Sequence, residues 1–297
     1  MPSVGEGLYT YRWRYILMAM AAPWVAWSHA AAQARETQRH RFAEPEGRLL
    51  AFYAAALAFS PAGLLPDESL WSATLELSHI PALNEAQRRP SIDKPESTNL
   101  APVFPRPRLA ARLGRVAVEA SWIPPIRVFD AEANVGSVAL SAPSTMLAGF
   151  AVTPRVWGVI GRVKGAMTCS ERELLGKGAD LELYFEAVCH GRESEDWFEP
   201  RLIGAELVAS RASADGARRW YALAGARVDR TRFDIGVITD FGTRDPDHPV
   251  LELRATRPHA AVGGAWRVRN TSWVGGELFY APGSLLTGRA SVRWTAP

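Results

Sequence analysis

The chain has 297 residues, of which 47% are hydrophobic and 22% charged, with a net charge of +3; this excludes a disordered polypeptide and supplies no basic excess of the kind that nucleic acid selects. Two cysteines exclude a disulfide framework and a cysteine-rich zinc module. No apolar run after residue 34 approaches the ~20 residues of a membrane helix, which excludes a helical transporter.

Residues 9–34 read YTYRWRYILMAMAAPWVAWSHAAAQA. Arg12 and Arg14 form a basic start, Tyr15 to Trp27 is a short apolar stretch broken by Pro23, and Ala32-Gln33-Ala34 is a small-x-small cleavage site. That order predicts a secretory signal peptide over 1–34, with Arg35 as the mature start. Residues 35–68 come next as an N-terminal periplasmic segment. Within it Arg48 to Phe59 is rich in Ala and Leu without strand alternation, which predicts a short helix, either packed peripherally or plugging the remainder of the chain.

From residue 69 to 297 the pattern changes to period 2. Ten segments alternate: about 69–79, 107–113, 115–122, 135–142, 152–166, 200–210, 218–228, 255–268, 271–280 and 285–295. In the last, Leu286, Gly288, Ala290, Val292 and Trp294 share one face and Thr287, Arg289, Ser291 and Arg293 the other. The tight turn at Gly114 leaves open whether 107–122 is a hairpin or one bent strand, and 229–254 has room for a further strand pair, so the count lies between ten and twelve.

Alternation does not say whether the apolar face points into a soluble core or outward into lipid. Three features favour outward. With ten strands, the longer connections (80–106, 123–134, 167–199 and 229–254) fall on one side, as in outer-membrane barrels. Trp71, Trp122, Trp157, Trp220, Trp266, Trp273 and Trp294 sit at segment ends, where an aromatic girdle would lie. The polar face carries full charges: Glu76, Glu119, Glu206 and Glu277 against Arg108, Arg112, Arg162, Lys164, Arg219, Arg227, Arg267, Arg289 and Arg293, a set that can pair across a lumen and that would make an open pore prefer anions.

In this pattern the chain resembles a bacterial outer-membrane β-barrel protein over 69–297, together with its leader. The last strand of that superfamily carries alternating apolar residues ending on an aromatic; Val292 and Trp294 match, while Gly288 and the ending Trp294-Thr295-Ala296-Pro297 depart. The resemblance implies an all-β, antiparallel up-and-down barrel in the bacterial outer membrane, in contact with lipid and lipopolysaccharide and inserted by the barrel-assembly machinery. No cofactor, metal or nucleic acid is expected.

Cys169 and Cys189 fall in one long connection, whose flanking strands are neighbours, and in an oxidising compartment they are expected to pair. The same connection is acidic, but its carboxylates have no regular ligand spacing, so a solvated loop is expected before a calcium site. Asp245-Pro246-Asp247-His248 is similar in composition to the site of ten-stranded outer-membrane proteases, but that site is built from opposite walls, and a Pro–Asp turn is the simpler reading. His79, His248 and His259 have no assigned role. Three functions stand: a channel or transporter for small or hydrophobic solutes, a closed structural or adhesive barrel acting through its loops, and a hydrolase at the barrel mouth. No catalytic residue is assigned.

Overall fold

The structure is a computed structural model that describes residues 35–61, 69–88, 96, 102–128 and 131–296; the expected leader lies outside these. Its strands are β1 (Thr37–His40), β2 (Trp71–His79), β3 (Val103–Leu113), β4 (Val116–Val128), β5 (Ala131–Ser141), β6 (Thr145–Leu147), β7 (Phe150–Gly165), β8 (Asp196–Ala212), β9 (Arg218–Asp234), β10 (Val250–Arg269), β11 (Ser272–Ala281) and β12 (Leu285–Ala296). Helix α1 is Pro45–Ala56, and the short helices α2 (Glu85–Arg88), α3 (Glu171–Leu174) and α4 (Ala179–Ala187) lie in connections.

All twelve strands belong to one sheet. β6 pairs only with β7, and β1 lies parallel to the start of β10. The other ten pair antiparallel with their neighbours, and β12 returns to β2, so the sheet closes on itself as a ring. The ten alternating segments are these ten strands. Gly114, at φ 63°, makes the two-residue turn between β3 and β4, a conformation a side chain disfavours, so 107–122 is a hairpin. The residues on either side of 235–249 lengthen β9 and β10, which pair from Asp234–Val250 onward.

One expectation is corrected. β4 and β5 meet across residues 129–130, so 123–134 is no medium-length connection. Pro124 and Pro125 interrupt the alternation at a register shift between Ile123 and Ile126, and so hide the upper part of β4. The three long connections, 80–102, 166–195 and 235–249, still share one end of the barrel with the turn 282–284. The other end carries 114–115, 142–149, 213–217 and 270–271.

The apolar face points out. Leu75, Leu207, Leu278, Leu286, Val292 and Trp294 are exposed, whereas Glu76, Glu206, Glu277, Arg289 and Arg293 are buried inside. The interior is filled by residues 45–61. β1 holds it at the long-loop end, α1 is almost wholly buried, and Leu57 to Pro61 continue down the lumen. Helix α1 lies against β9, β10, β12 and α2, with Phe52, Tyr53 and Phe198 in ring contact.

In a bilayer, Leu207→Arg should lower stability by about 2–4 kcal/mol, since Leu207 stands on the outer wall, and Ser210→Arg, whose site faces the lumen, by far less. Urea unfolding in lipid vesicles measures both; equal losses would mean that the outer wall does not face hydrocarbon.

Candidate functional site

The centre of the barrel is the meeting of α1's C-terminal end with charged side chains of the wall. A helix leaves its last carbonyls without partners and carries partial negative charge there. The last turn of α1 has no basic residue of its own. The wall supplies them. Arg106 donates to the carbonyls of Leu57 (2.9 Å) and Ala58 (3.0 Å), Arg155 to that of Phe59 (2.8 Å), and Arg108 to that of Ser60 (2.6 Å). The Phe59 ring lies beneath the same three guanidinium groups, nearest Arg108 at 4.3 Å.

Carboxylates on neighbouring strands balance these arginines. Arg108 pairs with Glu76 and with Glu119 at 2.7 Å; Arg155 pairs with Glu119 at 3.3 Å and Glu206 at 2.5 Å. Glu206 also accepts from the Trp157 indole at 3.0 Å and lies 2.8 Å from Nε2 of His259. A second group joins Arg289 to Glu277 at 3.2 Å, with the Tyr221 hydroxyl donating to Glu277 at 2.7 Å and Ser60 of the plug bonded to both Glu277 and Arg289. Arg227 and Asp229 pair at 2.8 Å, fully buried, and Arg293 donates to Thr74 at 3.2 Å. Arg112 and Arg219 face inward near the short-turn end, and Arg267 lies exposed on that rim, donating to the Asp215 carbonyl at 3.2 Å.

Two of the expected lumen charges face the other way. On β7 the inward residues are Thr153, Arg155, Trp157, Val159 and Val163, so Arg162 and Lys164 point outward at the long-loop rim. There Arg162 pairs with Glu199 at 2.5 Å and Lys164 with Glu195 at 3.8 Å. The expected girdle is also corrected at two positions. Trp157 is 3% exposed and lies over Gly204, where a Cβ would come within 2.3 Å of the indole; Trp273 is buried too. Trp71, Trp220, Trp266 and Trp294 stand outside near the short-turn end, Trp220 and Trp266 edge-to-face at 5.1 Å, and Trp122 stands outside higher up.

Sequence reasoning missed Arg106 and Arg155. Arg106 shares its parity with Arg108, but Pro105 and Pro107 conceal the start of β3. Arg155 shares its parity with Trp157, Val159 and Val163, the face that taking Arg162 and Lys164 as lumen residues puts outside.

Two more features concern the wall. Above the apolar band, Arg201, Arg230 and Arg254 are register partners across β8, β9 and β10, all exposed. The row beneath them on the same face is Ile203, Val228 and Thr256; the row above is Glu199, Arg232 and Glu252, of alternating sign. Beside α1 lies an apolar cavity of about 230 Å³, bounded by Tyr53 and Leu57 of the plug and by Phe104, Ile123, Met167 and Phe198. Burial pushes the Tyr53 hydroxyl well above its ordinary pKa, with the Glu96 and Asp196 charges adding to the shift, so it stays neutral.

The long loops form their own small core. Cys169 and Cys189 are joined as a disulfide with Cα atoms 5.8 Å apart and pack with Leu174, Phe185 and Val237. Asp245 accepts from the Asp247 N–H at 2.9 Å and lies 3.5 Å from Nδ1 of His248, a local turn. His40, Glu44 and Glu46 bring a nitrogen and two oxygens within 4.8 Å of one another, a donor set suited to a divalent cation, which the sequence reading did not single out. His79 is exposed on the outer end of β2.

In architecture the chain resembles bacterial outer-membrane β-barrels. An even number of antiparallel strands, a closed ring, an apolar outside and a charged inside are the features of that class. No protein-family model matches the sequence, and no curated protein does. Among solved structures, a loop L8 deletion mutant of OmpT, an outer membrane protein of Vibrio cholerae, is similar at 9% identity and a TM-score of 0.27, over 65% of this chain and 53% of that one. The chain thus spans about half the length of that protein, and agreement at this level adds nothing to the fold read from the strands.

Two outcomes are expected. Arg155→Ala leaves Glu206 without its arginine and frees the Phe59 carbonyl, and should cost about 3–5 kcal/mol; adding Glu206→Gln should recover part of that loss in urea unfolding. Replacing both cysteines by Ser removes a link whose loop closure is worth about 3 kcal/mol; it should leave the barrel heat-modifiable on gels while making the 166–195 connection protease-sensitive.

Proposed function

We propose that this protein is a bacterial outer-membrane barrel held shut by its own N-terminal segment. It acts at its long-loop face and at its boundary with lipid, and it is no open diffusion pore. The observation that carries the reading is the plug: four successive carbonyls, Leu57 to Ser60, taken by three wall arginines in the middle of the lumen. A hydrated solute would have to displace those bonds and the buried ion pairs behind them, several kcal/mol per uncompensated charge.

The outer-membrane setting is supported by the outward apolar wall, by the tryptophans at the short-turn end, and by the arginine row at the top of the apolar band. Like charges side by side in a sheet repel unless an anion lies against them. The row of Arg201, Arg230 and Arg254 sits where apolar residues give way to polar ones, the level of lipid phosphates, so lipopolysaccharide phosphate is the partner it suits. The outward Val292 and Trp294 of the last strand suit the assembly machinery. Transport remains a second reading for hydrophobic solutes only, favoured by the apolar cavity beside α1.

The intact mature chain in a planar bilayer should show no steady conductance, and a steady ohmic current would overturn the closed-barrel reading. Deleting residues 41–61, or replacing both Arg106 and Arg155 by Ala, should open a current, anion-selective because the wall is basic. Replacing Arg201, Arg230 and Arg254 together by Ala should reduce lipopolysaccharide co-purifying with the folded barrel; unchanged retention would remove the phosphate assignment.

A further inference from the structure

The wall is not continuous. β3 remains paired with β2 up to His79–Val103, and β4 with β5 up to Val128–Ala131. Between β3 and β4, however, pairing runs only from Leu113–Val116 to Arg108–Ser121. Above that level, residues 103–107 and 122–128 part, and the two strands stay with their other neighbours. At about 3.3 Å per residue the five free residues of β3 leave a slit on the order of 16 Å long. The residues there suit an unpaired edge: Pro105, Pro107, Pro124 and Pro125 have no N–H to donate, so closing the ladder would gain fewer bonds than elsewhere in the ring.

The cavity beside α1 opens into this slit. Its boundary includes Val103, exposed on the outer wall, and Ile126, which shares the inward face of its partner Ala133 and is exposed through the slit, as well as Phe198 and Met167, which are 2% and 3% exposed within. The same space therefore runs from the outer face of the barrel to the side of the plug. Among the described residues, every bounding side chain is apolar except that of Tyr53. At about 230 Å³ the cavity is larger than the ~150 Å³ apolar cavity that takes up a benzene molecule. Among the described residues no charged side chain lines it, so it suits an acyl chain better than a headgroup. Polar residues appear at its upper edge, where Arg127 stands opposite Glu132.

We propose that a single acyl chain of a membrane lipid enters this chamber sideways, through the slit between β3 and β4, and lies against α1 while its headgroup stays at the outer rim. The proposal rests on the outer-membrane reading above, because only a bilayer puts acyl chains against this slit. It gives the plug a second role: α1 forms the inner wall of a lipid site as well as closing the pore.

The test uses the mature protein in phosphatidylcholine vesicles with a trace of phospholipid carrying a diazirine at the methyl end of one acyl chain. Adducts formed on irradiation are mapped by peptide mass spectrometry. They are expected on Met167 and Phe198 in the chamber as well as on Val103 outside. Ala133→Trp fills the chamber from β5 and should abolish the inner adducts while leaving the outer one. Ala56→Phe fills it from the plug if the first variant does not fold, folding being read from heat-modifiability. Adducts confined to outward residues in protein that floats with the vesicles would overturn the proposal alone. So would adducts on Met167 formed by a free diazirine fatty acid added from water but not by the phospholipid. Protein that does not float with the vesicles would overturn the membrane reading and the proposal with it.

Discussion

Three guanidinium groups closing on four backbone carbonyls determine the interior of this protein. A chain segment inside a barrel has no sheet partner, and its polar backbone must find side chains or stay unpaired at a cost of several kcal/mol. Arg106, Arg108 and Arg155 take the carbonyls from Leu57 to Ser60, where α1 ends and its own donors run out. An arginine is suited to this because its planar fork can serve two acceptors and lie over an aromatic ring together, as Arg106 does with Leu57, Ala58 and Phe59.

The same bonds dictate where the glutamates stand. Three cations in a space closed to water require anions within a few ångströms, and Glu76, Glu119 and Glu206 occupy the strands that flank them. Each glutamate has more than one partner, so the pairs form a chain around the wall, and the barrel interior and the plug are held by the same bonds. Trp157 and His259 complete the coordination of Glu206. A tryptophan that period and position would place on the outside is needed inside, and Gly204 opposite leaves room for its ring.

The wall is uneven for a related reason. Where prolines remove donors from the ladder, β3 and β4 separate, and the space behind them is bounded by apolar side chains of α1 and the barrel. Polar satisfaction is thus concentrated in the lower and middle lumen, and the upper lumen beside β3 to β5 is left to hydrocarbon contacts.

Period 2 and turn residues made the ten strands, their order and most of their facing legible in the sequence, because a strand's neighbours in an up-and-down barrel are its neighbours in the chain. The Cys169–Cys189 link was legible for the same reason: adjacent strands bring the ends of their connection together. Arg162 and Lys164 were misplaced because charge was taken as a sign of the lumen, whereas at the rim above the apolar band charge is soluble on either face. Arg106 was hidden by prolines that break the alternation of β3, and the upper part of β4 by Pro124 and Pro125. That residues 45–61 fill the lumen, which carbonyls the arginines meet, and that β3 and β4 part could be decided only by the closed tertiary structure. The sequence by itself determined local periodicity and hence the ring, since pairing there is between neighbours; what fills the ring depends on contacts between residues far apart in the chain, such as Ser60 with Arg289, 229 positions away, and Arg106 with Ala58, 48 positions away, which no local pattern records.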